Sequence, residues 1–309
     1  MANRKTKSNK SYIKDNAELS LLCLPSFLKV IIFSYVPFLW LTIAFQNFIP
    51  RKGIFGSTFV GFKNFEVLFT SPDTMTMIRN AIAINALCII FSTIVSVLLG
   101  LFLYEITSKL LLKFSQTVII FPYFVSWPLI AIIVSSLIGD QTGMIADLYS
   151  KITGAELNAY SSPWVWWPIL TFLYVWKTSG LSAVTYYAVL IGTDKSIYEA
   201  AKIDGASRFR TMFQISLPML KLMIILNVIM SCANILRIDF NMIYYVTQDK
   251  SALLETTNVI ETFMYRALRG SGASYEVTTA IGLVQAAVGF VLTMIVNKVC
   301  RKIGGTSLF

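Results

Sequence analysis

EAAKIDGASRFRTMFQISLP, residues 199–218, lies between two long apolar runs and is the most informative stretch of the chain. Its first four residues are good helix formers. Asp204 and Gly205 then interrupt the helix, because Asp is a good helix N-cap and Gly tolerates a non-helical backbone. A second amphipathic stretch follows, with apolar side chains between residues 209 and 215. The segment therefore predicts two short helices joined by a turn.

The composition of the chain is that of a membrane protein. Of its 309 residues, 56% are hydrophobic and only 14% are charged, whereas soluble domains carry about 25% charged residues. The net charge of +10 comes from basic residues between apolar runs, which is typical of membrane topology rather than of nucleic-acid binding. The sequence has no histidine and no paired cysteines, so neither a catalytic constellation nor a metal site is expected.

Six apolar runs are long enough to cross a bilayer, which takes about 20 residues per helix. Each must be helical, because hydrocarbon offers the backbone no hydrogen-bond partner. The expected architecture is an all-α membrane protein with a tail at residues 1–18 and one transmembrane domain at residues 19–309. The predicted spans are residues 19–46, 81–105, 112–138, 165–191, 219–246 and 277–299, and residues 192–218 form the connecting loop that contains the opening stretch.

The distribution of positive charge predicts the orientation of these spans. Lys and Arg are denser in the N-terminal tail, the 106–113 turn, the 192–218 loop and the C-terminal tail than in the longer opposite loops. Positively charged loops stay in the cytoplasm. Both termini and the 192–218 loop are therefore expected on the cytoplasmic side of a bacterial plasma membrane.

Three of the runs contain helix breakers or ions, namely FPYFVSWP in the third, WKTSG in the fourth and NILRIDFN in the fifth. Interrupted spans with polar side chains often line a transport pathway. Sugars bind through aromatic faces and through polar groups that satisfy their hydroxyls, although Tyr and Trp also serve as interface anchors. The candidate pathway residues are Tyr123, Trp127, Trp176, Lys177, Asn234, Arg237 and Asp239.

The opening stretch resembles the EAA loop of ABC importer permeases, whose pattern is EAA, then DG, then a hydrophobic residue two positions before Leu-Pro. The matching positions are Glu199, Ala200, Ala201, Asp204, Gly205, Ala206, Phe213, Ile215, Leu217 and Pro218. The resemblance extends to the region after the first span, to FPYFVSWPLIA and to the C-terminal part. Together, these segments look like those of LplB-type polysaccharide permeases. The LplB-type permeases belong to the carbohydrate-uptake group, which includes the maltose (MalF-like) permeases.

This resemblance implies a type I importer fold and a permease that is not an enzyme. Its implied partners are a second homologous permease, two ATPase subunits, an extracellular substrate-binding lipoprotein, membrane lipid and a sugar. The sequence has no phosphate-binding GxxxxGK[ST] loop, so no cofactor is expected here and ATP and Mg²⁺ are expected on the ATPase subunits. The residues implied to dock the ATPase are Glu199, Ala200, Ala201, Asp204, Gly205 and Ala206.

Two alternatives stay open at this point. In the first, the same importer architecture carries a peptide or a polyol instead of a sugar. In the second, the protein belongs to a different functional class and is an ion-coupled secondary transporter or a membrane enzyme. Arg237 and Asp239 depart from the small or neutral residues that LplB-type relatives usually carry there. They favour the hypothesis of a charged or acetylated sugar.

Overall fold

The computed structural model describes the backbone of residues 9–139, 143–154, 158–270 and 274–304, and the side chains of residues 20–139, 143–154, 158–270 and 274–298. Helices dominate these residues, as predicted. The α-helices are α1 Asn9–Val30, α2 Gly53–Gly56, α3 Val67–Thr70, α4 Asp73–Glu105, α5 Lys109–Phe124, α6 Trp127–Ile138, α7 Met144–Thr153, α8 Trp166–Ile191, α9 Lys195–Ile203, α10 Arg208–Thr211, α11 Leu217–Ala233, α12 Phe240–Val246, α13 Leu254–Thr257, α14 Ile260–Arg269 and α15 Tyr275–Gly304.

Shorter elements continue or connect these helices. π-helix occurs at Ile31–Tyr35 and Met212–Ser216, and 3₁₀-helix at Val36–Phe45, Lys63–Phe65, Ala159–Ser161, Pro163–Val165 and Ser251–Leu253. The strands β1, Gln46–Asn47, and β2, Thr58–Phe59, pair antiparallel, with Gln46 opposite Phe59.

The chain divides into two compact units, of which the first comprises Met1–Val67 and Ser274–Leu283. Its long helical run from Ser20 to Phe45 is apolar and largely exposed. The run ends in the β1–β2 hairpin, where the Asn64 side-chain amide donates to the carbonyls of Ala44 and Gln46, both at 2.9 Å. This amide supplies hydrogen bonds where the helix gives way to irregular backbone.

The second unit comprises Leu68–Ala273 and Val284–Phe309. Small residues allow its helices to approach closely. A Cβ added to Gly100 on α4 would lie 2.8 Å from the Tyr186 Cβ on α8, and one added to Gly180 on α8 would lie 1.8 Å from the Ile119 carbonyl oxygen on α5. α8 is thus wedged against both α4 and α5, and Gly180 leaves no room for a side chain.

Two apolar clusters form the core of the second unit. The larger includes Ile84, Trp127, Trp166, Leu170, Met242 and Val246, and it surrounds the broken helices described below. The smaller includes Val97, Leu101, Tyr186, Leu190, Met212 and Leu220. Met212 follows α10, so the second cluster reaches the loop that contains the opening stretch.

Within the described residues, four helices are long and apolar enough to cross a membrane: Ser20–Phe45, Asp73–Glu105, Arg208–Ala233 and Tyr275–Lys298. The pair α5 and α6 adds a fifth span if it is counted as one, although the two helices are bent by 91°. α8 coincides with the predicted fourth span and its 26 residues are long enough, at about 1.5 Å per residue. Its several aromatic residues and Lys177 keep it less hydropathic than those four helices.

Two of the three interruptions that the sequence predicts are present in the structure. The predicted third span, 112–138, is divided into α5 and α6 near FPYFVSWP, and the predicted fifth span, 219–246, ends at Ala233 and resumes as α12 after the NILRIDFN break. WKTSG does not interrupt the fourth span, since α8 runs unbroken from Trp166 to Ile191. Gly180 allows close packing of α8 against α5 and does not break the helix. Of the predicted tail, residues 1–8 lie outside the described residues, and α1 begins at Asn9.

Candidate functional site

The predicted helix–turn–helix is confirmed: α9 ends at Ile203, and Gly205 adopts a left-handed φ of +74° before α10 begins. The capping differs from the prediction. Asp204 is the C-cap of α9, and Ser207 is the N-cap of α10, with its side chain accepting from the Arg210 amide. A glycine suits the turn because a side chain in the left-handed region strains the backbone.

The residues implied to dock the ATPase form a largely exposed surface. Glu199, Ala200, Asp204 and Gly205 are exposed, Ala206 is half-buried and Ala201 is buried. Beside them Ile203 is 87% exposed and Phe209 is 70% exposed. Apolar side chains this open, interspersed with carboxylates, mark a surface suited to a protein partner. We call residues 195–211 the docking segment.

The docking segment is tied to the spans through few side chains. The Tyr198 hydroxyl lies 3.2 Å from the Ser216 hydroxyl. The ring centroids of Tyr198 and of Tyr104, at the end of α4, lie 5.2 Å apart. Met212, just after α10, is buried in the smaller core cluster. These contacts connect the docking segment to α4 and α11.

Asp194 caps the start of the docking segment. Its carboxylate accepts from the Ser196 amide at 3.0 Å, and this hydrogen bond holds the pKa of the fully exposed Asp194 carboxyl below its usual range. Asp194 is not among the predicted docking residues, although an Asp just before a helical stretch is a recognised start signal.

The first break in the second unit lies between α5 and α6, at residues 125–126. Lys177 on α8 donates to the Tyr123 carbonyl at 2.8 Å and also to the Val125 carbonyl. Its ammonium lies 5.6 Å from the Tyr123 ring centre and 5.5 Å from that of Trp127. Lys177 thus satisfies carbonyls that the end of α5 leaves without an intrahelical partner, and its charge is stabilised by ring faces.

The second break, residues 234–239, is joined to the first by a hydrogen bond. The buried Trp127 indole donates to Asp239 at 2.6 Å. The other oxygen of Asp239 caps α12 by accepting from the amides of Asn241 and Met242. Four predicted pathway residues, Tyr123, Trp127, Lys177 and Asp239, therefore meet where two helices are broken.

The second break is held by side chains from three other helices. Asn85 on α4 donates to the carbonyls of Ile235, at 2.6 Å, and Arg237, at 3.2 Å. Gln285 on α15 donates to the Leu236 carbonyl at 2.7 Å and to Glu261 at 2.9 Å. Glu261 on α14 accepts from the Ile238 amide at 3.2 Å. We call Asn85, Glu261 and Gln285 the brace.

Glu261 is the charged member of the brace. Burial raises the pKa of its carboxyl, while the hydrogen bonds from Gln285 and Ile238 and the nearby charge of Arg237 act in the opposite direction. One carboxylate oxygen, Oε2, is buried and finds no hydrogen-bond partner among the described residues. A buried carboxylate in this state destabilises the fold, so its presence needs a reason beyond backbone capping.

Two further predicted residues, Asn234 and Arg237, line a cavity of about 310 Å³ beside the brace. Gln285, Gly289, Phe290 and Thr293 on α15 form its opposite wall. Both predicted residues are exposed. Arg237 and Asp239 lie on the unwound backbone between α11 and α12, where NILRIDFN predicts an interruption.

The structure places Trp176 neither with the four predicted residues at the helix breaks nor with the two that line the cavity. It is 41% exposed and neighbours Lys177 along α8. The brace, by contrast, was missed by sequence reasoning. A signal existed, since Asn85 and Gln285 are amides inside otherwise apolar runs, where a polar side chain usually faces protein or water rather than lipid.

Comparison with known proteins places this geometry in a family. The family model of the binding-protein-dependent transport system inner membrane component matches residues 92–304. The permease protein YteP of the polygalacturonan/rhamnogalacturonan transport system of Bacillus subtilis (strain 168) is 32% identical over 291 residues, which cover 94% of this chain and 90% of YteP. Protein LplB of the same organism is 31% identical over 297 residues, covering 96% of this chain and 92% of LplB.

The fold is shared with a solved transporter. A chain in the crystal structure of a bacterial alginate ABC transporter, determined in complex with its alginate pentasaccharide-bound periplasmic protein, superposes with a TM-score of 0.84. The two are 28% identical, and the match covers 98% of this chain and 100% of the other. Since the family model matches more than half of the chain and YteP matches nearly all of it, this chain belongs to the family of binding-protein-dependent transport system inner membrane components.

Proposed function

We propose that this multi-pass ABC importer permease forms half of the translocation pathway for an oligosaccharide and is powered by separate ATPase subunits that bind the docking segment. The observation that carries the proposal is the docking segment itself. It presents Glu199 and Asp204 beside the open side chains of Ile203 and Phe209, at positions that match the EAA pattern.

The transport mechanism we propose is alternating access. ATP and Mg²⁺ bind to the two ATPase subunits, whose closure pulls on the docking segment of this chain and of a second homologous permease. Tyr198 and Met212 pass that motion to α4 and α11 through the contacts described above. ATP binding then favours one of the two states of the pathway, because ATP has a higher affinity for the importer in that state.

The cargo is proposed from the site and from the relatives together. YteP is named for polygalacturonan and rhamnogalacturonan transport, and the solved relative imports the acidic polysaccharide alginate. Arg237 lines the 310 Å³ cavity, and a guanidinium suits a carboxylate through paired hydrogen bonds. These facts favour an oligosaccharide that carries carboxylates, delivered by an extracellular binding lipoprotein.

The proposed orientation follows the distribution of basic residues. Lys202, Arg208 and Arg210 in the docking segment and the basic residues of both tails lie on one side of the membrane if the termini are cytoplasmic. This arrangement gives cytoplasmic ATPase subunits access to the docking segment.

Co-purification with the cognate ATPase tests the docking proposal. Ile203→Asp, Glu199→Ala and Gly205→Pro are expected to lower ATPase recovery at least about tenfold, because a loss of roughly 1.4 kcal/mol is tenfold in binding. Ile152→Asp is the matched control, since Ile152 on α7 is 74% exposed and lies outside the docking segment. Normal ATPase recovery with all three docking variants would refute the proposal.

Uptake by the reconstituted complex with its binding protein tests the cargo. Trigalacturonate and the uncharged maltotriose serve as matched probes. Arg237→Ala is expected to reduce uptake of the acidic probe by about tenfold or more, since losing a charge-assisted contact costs about 1.5–3 kcal/mol. Wild-type uptake of trigalacturonate by an assembled Arg237→Ala complex would rule out Arg237 as a carboxylate contact. Uptake of polyols or peptides alone would rule out a sugar cargo.

A further inference from the structure

In the unwound segment between α11 and α12, the amides of Asn234, Ile235 and Arg237 donate to nearby backbone carbonyls, whereas four other backbone groups are satisfied by side chains from distant helices. Three successive carbonyls, those of residues 235–237, accept from Asn85 or Gln285, and the next amide, that of Ile238, donates to Glu261. The three brace residues come from three separate helices, α4, α14 and α15, and Asn85 on α4 is 150 residues from Ile235. The segment is therefore fixed in a non-helical conformation and is not simply frayed.

Stability alone does not explain the brace. Restoring helix through residues 234–239 would satisfy the same backbone groups with no polar side chains at all. Instead the fold uses two half-buried amides and a half-buried carboxylate for the segment, and it leaves the buried Glu261 Oε2 without a partner among the described residues. The unwound shape has one visible consequence, which is that Asn234 and Arg237 line the cavity against α15.

The chemistry of Glu261 points to Arg237 in particular. The carboxylate needs only one oxygen to accept from the Ile238 amide and the Gln285 amide, and Oε1 accepts both bonds. A glutamine could supply the same acceptor without a buried charge. Arg237 immediately precedes Ile238, whose amide donates to Glu261, and its positive charge partly offsets the effect of burial, which raises the pKa of Glu261. The two side chains form no ion pair, so the exposed guanidinium at the cavity stays available to a ligand.

We propose that Glu261 is a positioning residue for the cargo: together with Asn85 and Gln285 it keeps residues 234–239 unwound, and its charge orients Arg237 in the cavity. This inference rests on the proposed sugar-import function. It adds that binding depends on a residue of α14 that does not itself line the cavity.

Two readouts test the proposal on the assembled complex. Hydrogen exchange of the peptide containing residues 235–238, followed by mass spectrometry, reports whether the segment is held. The KM and maximal rate of trigalacturonate uptake in proteoliposomes report whether Arg237 is positioned. Glu255→Ala is the matched control, since Glu255 on α13 is an exposed glutamate whose side chain is not part of the brace.

The two variants of Glu261 separate its two roles. Glu261→Ala is expected to speed exchange at residues 235–238 and to raise KM at least about tenfold with a smaller change in maximal rate. Glu261→Gln keeps the acceptor for Ile238, so exchange is expected to stay as in the wild type while KM rises at least about threefold. A tenfold change corresponds to about 1.4 kcal/mol.

Other results overturn the proposal. Faster exchange in Glu261→Ala with unchanged KM would make the brace purely structural, and an unchanged KM in Glu261→Gln would remove the role of the charge. If Glu261→Ala does not assemble, Glu261→Gln and Gln285→Ala decide by the same readouts. A wild-type complex that hydrolyses ATP but takes up no sugar would contradict the cargo proposal and, with it, the positioning role. The exchange data would then show separately whether Glu261 holds the segment.

Discussion

The docking segment and the unwound segment 234–239 both interrupt the helical path of the chain, but their backbone hydrogen bonds come from different sources. In the docking segment, local caps from Asp194 and Ser207 complete two short helices, while Ile203 and Phe209 remain open. In the unwound segment, the backbone depends on side chains from α4, α14 and α15. The docking segment is exposed and capped by residues close in sequence, whereas the unwound segment needs distant helices to satisfy four of its backbone groups.

This difference indicates where each region gets its stability. A segment that caps its own helix ends depends little on the rest of the fold for its local shape. A braced segment keeps its shape only while its neighbours stay in place. Substitutions in the docking segment should therefore affect partner binding more than stability, and substitutions around the two breaks should affect stability directly.

The largest expected contrast is between two glycines. Gly180→Ala places a Cβ 1.8 Å from the Ile119 carbonyl oxygen, so α5 and α8 must separate, at an expected loss of about 3 kcal/mol or more. Gly205→Ala meets nothing within 4 Å and bears only the strain of its left-handed φ, about 1 kcal/mol. Thermal unfolding of both purified variants measures this contrast, and equal losses would show that the two regions do not differ as described.

Lys177→Met should give the next largest effect. It removes both donors to the Tyr123 and Val125 carbonyls, with an expected loss of about 2 kcal/mol in unfolding free energy. Lys195→Met, at an exposed position of the docking segment, is the control and should stay within about 0.5 kcal/mol of the wild type. Equal melting temperatures for the two variants would count against a structural role of Lys177.

Trp127→Phe tests the link between the two breaks. The substitution retains the buried ring but loses the indole donor to Asp239, so we expect a loss of about 1 kcal/mol. Trp176→Phe is the matched control because its side chain is 41% exposed. Should the two variants unfold alike, the hydrogen bond between the breaks contributes nothing measurable.

The smallest effects are opposite pH responses of two carboxylates. Asp194 has a lowered pKa, so it contributes stability above its ordinary value of 3.8 that is lost as the pH falls through its folded-state pKa. Glu261 has a raised pKa, so its contribution is present below its ordinary value of 4.5 and is lost as the pH rises through its folded-state pKa.

Variant stabilities measured against pH reveal these responses. Relative to the wild type, Asp194→Ala should be destabilised near neutral pH and approach it in acid, whereas Glu261→Gln should gain relative stability as the pH rises. Melting temperatures from about pH 3 to about pH 8 cover both transitions. Parallel pH profiles of the two variants would contradict the assigned environments.

Much of the fold follows from local patterns. The apolar runs locate most of the helices because burial in lipid demands hydrocarbon over a fixed length, and the Asp204-Gly205 turn predicts the helix–turn–helix because glycine tolerates a left-handed backbone. Inside the spans, FPYFVSWP and NILRIDFN predicted breaks that the structure contains, but WKTSG misled. WKTSG looks like a break, yet Gly180 serves close packing, and no local rule separates these two uses of glycine.

The sequence by itself determined that this chain crosses a membrane, that its opening stretch forms two exposed helices, and that it belongs with importer permeases rather than ATPases. Tertiary structure alone decided that Tyr123, Trp127, Lys177 and Asp239 meet, and that Asn85, Glu261 and Gln285 hold residues 234–239 unwound. The physical reason is range. Hydrophobic length, capping and turn conformation depend on neighbouring residues, whereas a backbone break away from water is stable only where distant side chains supply its hydrogen bonds.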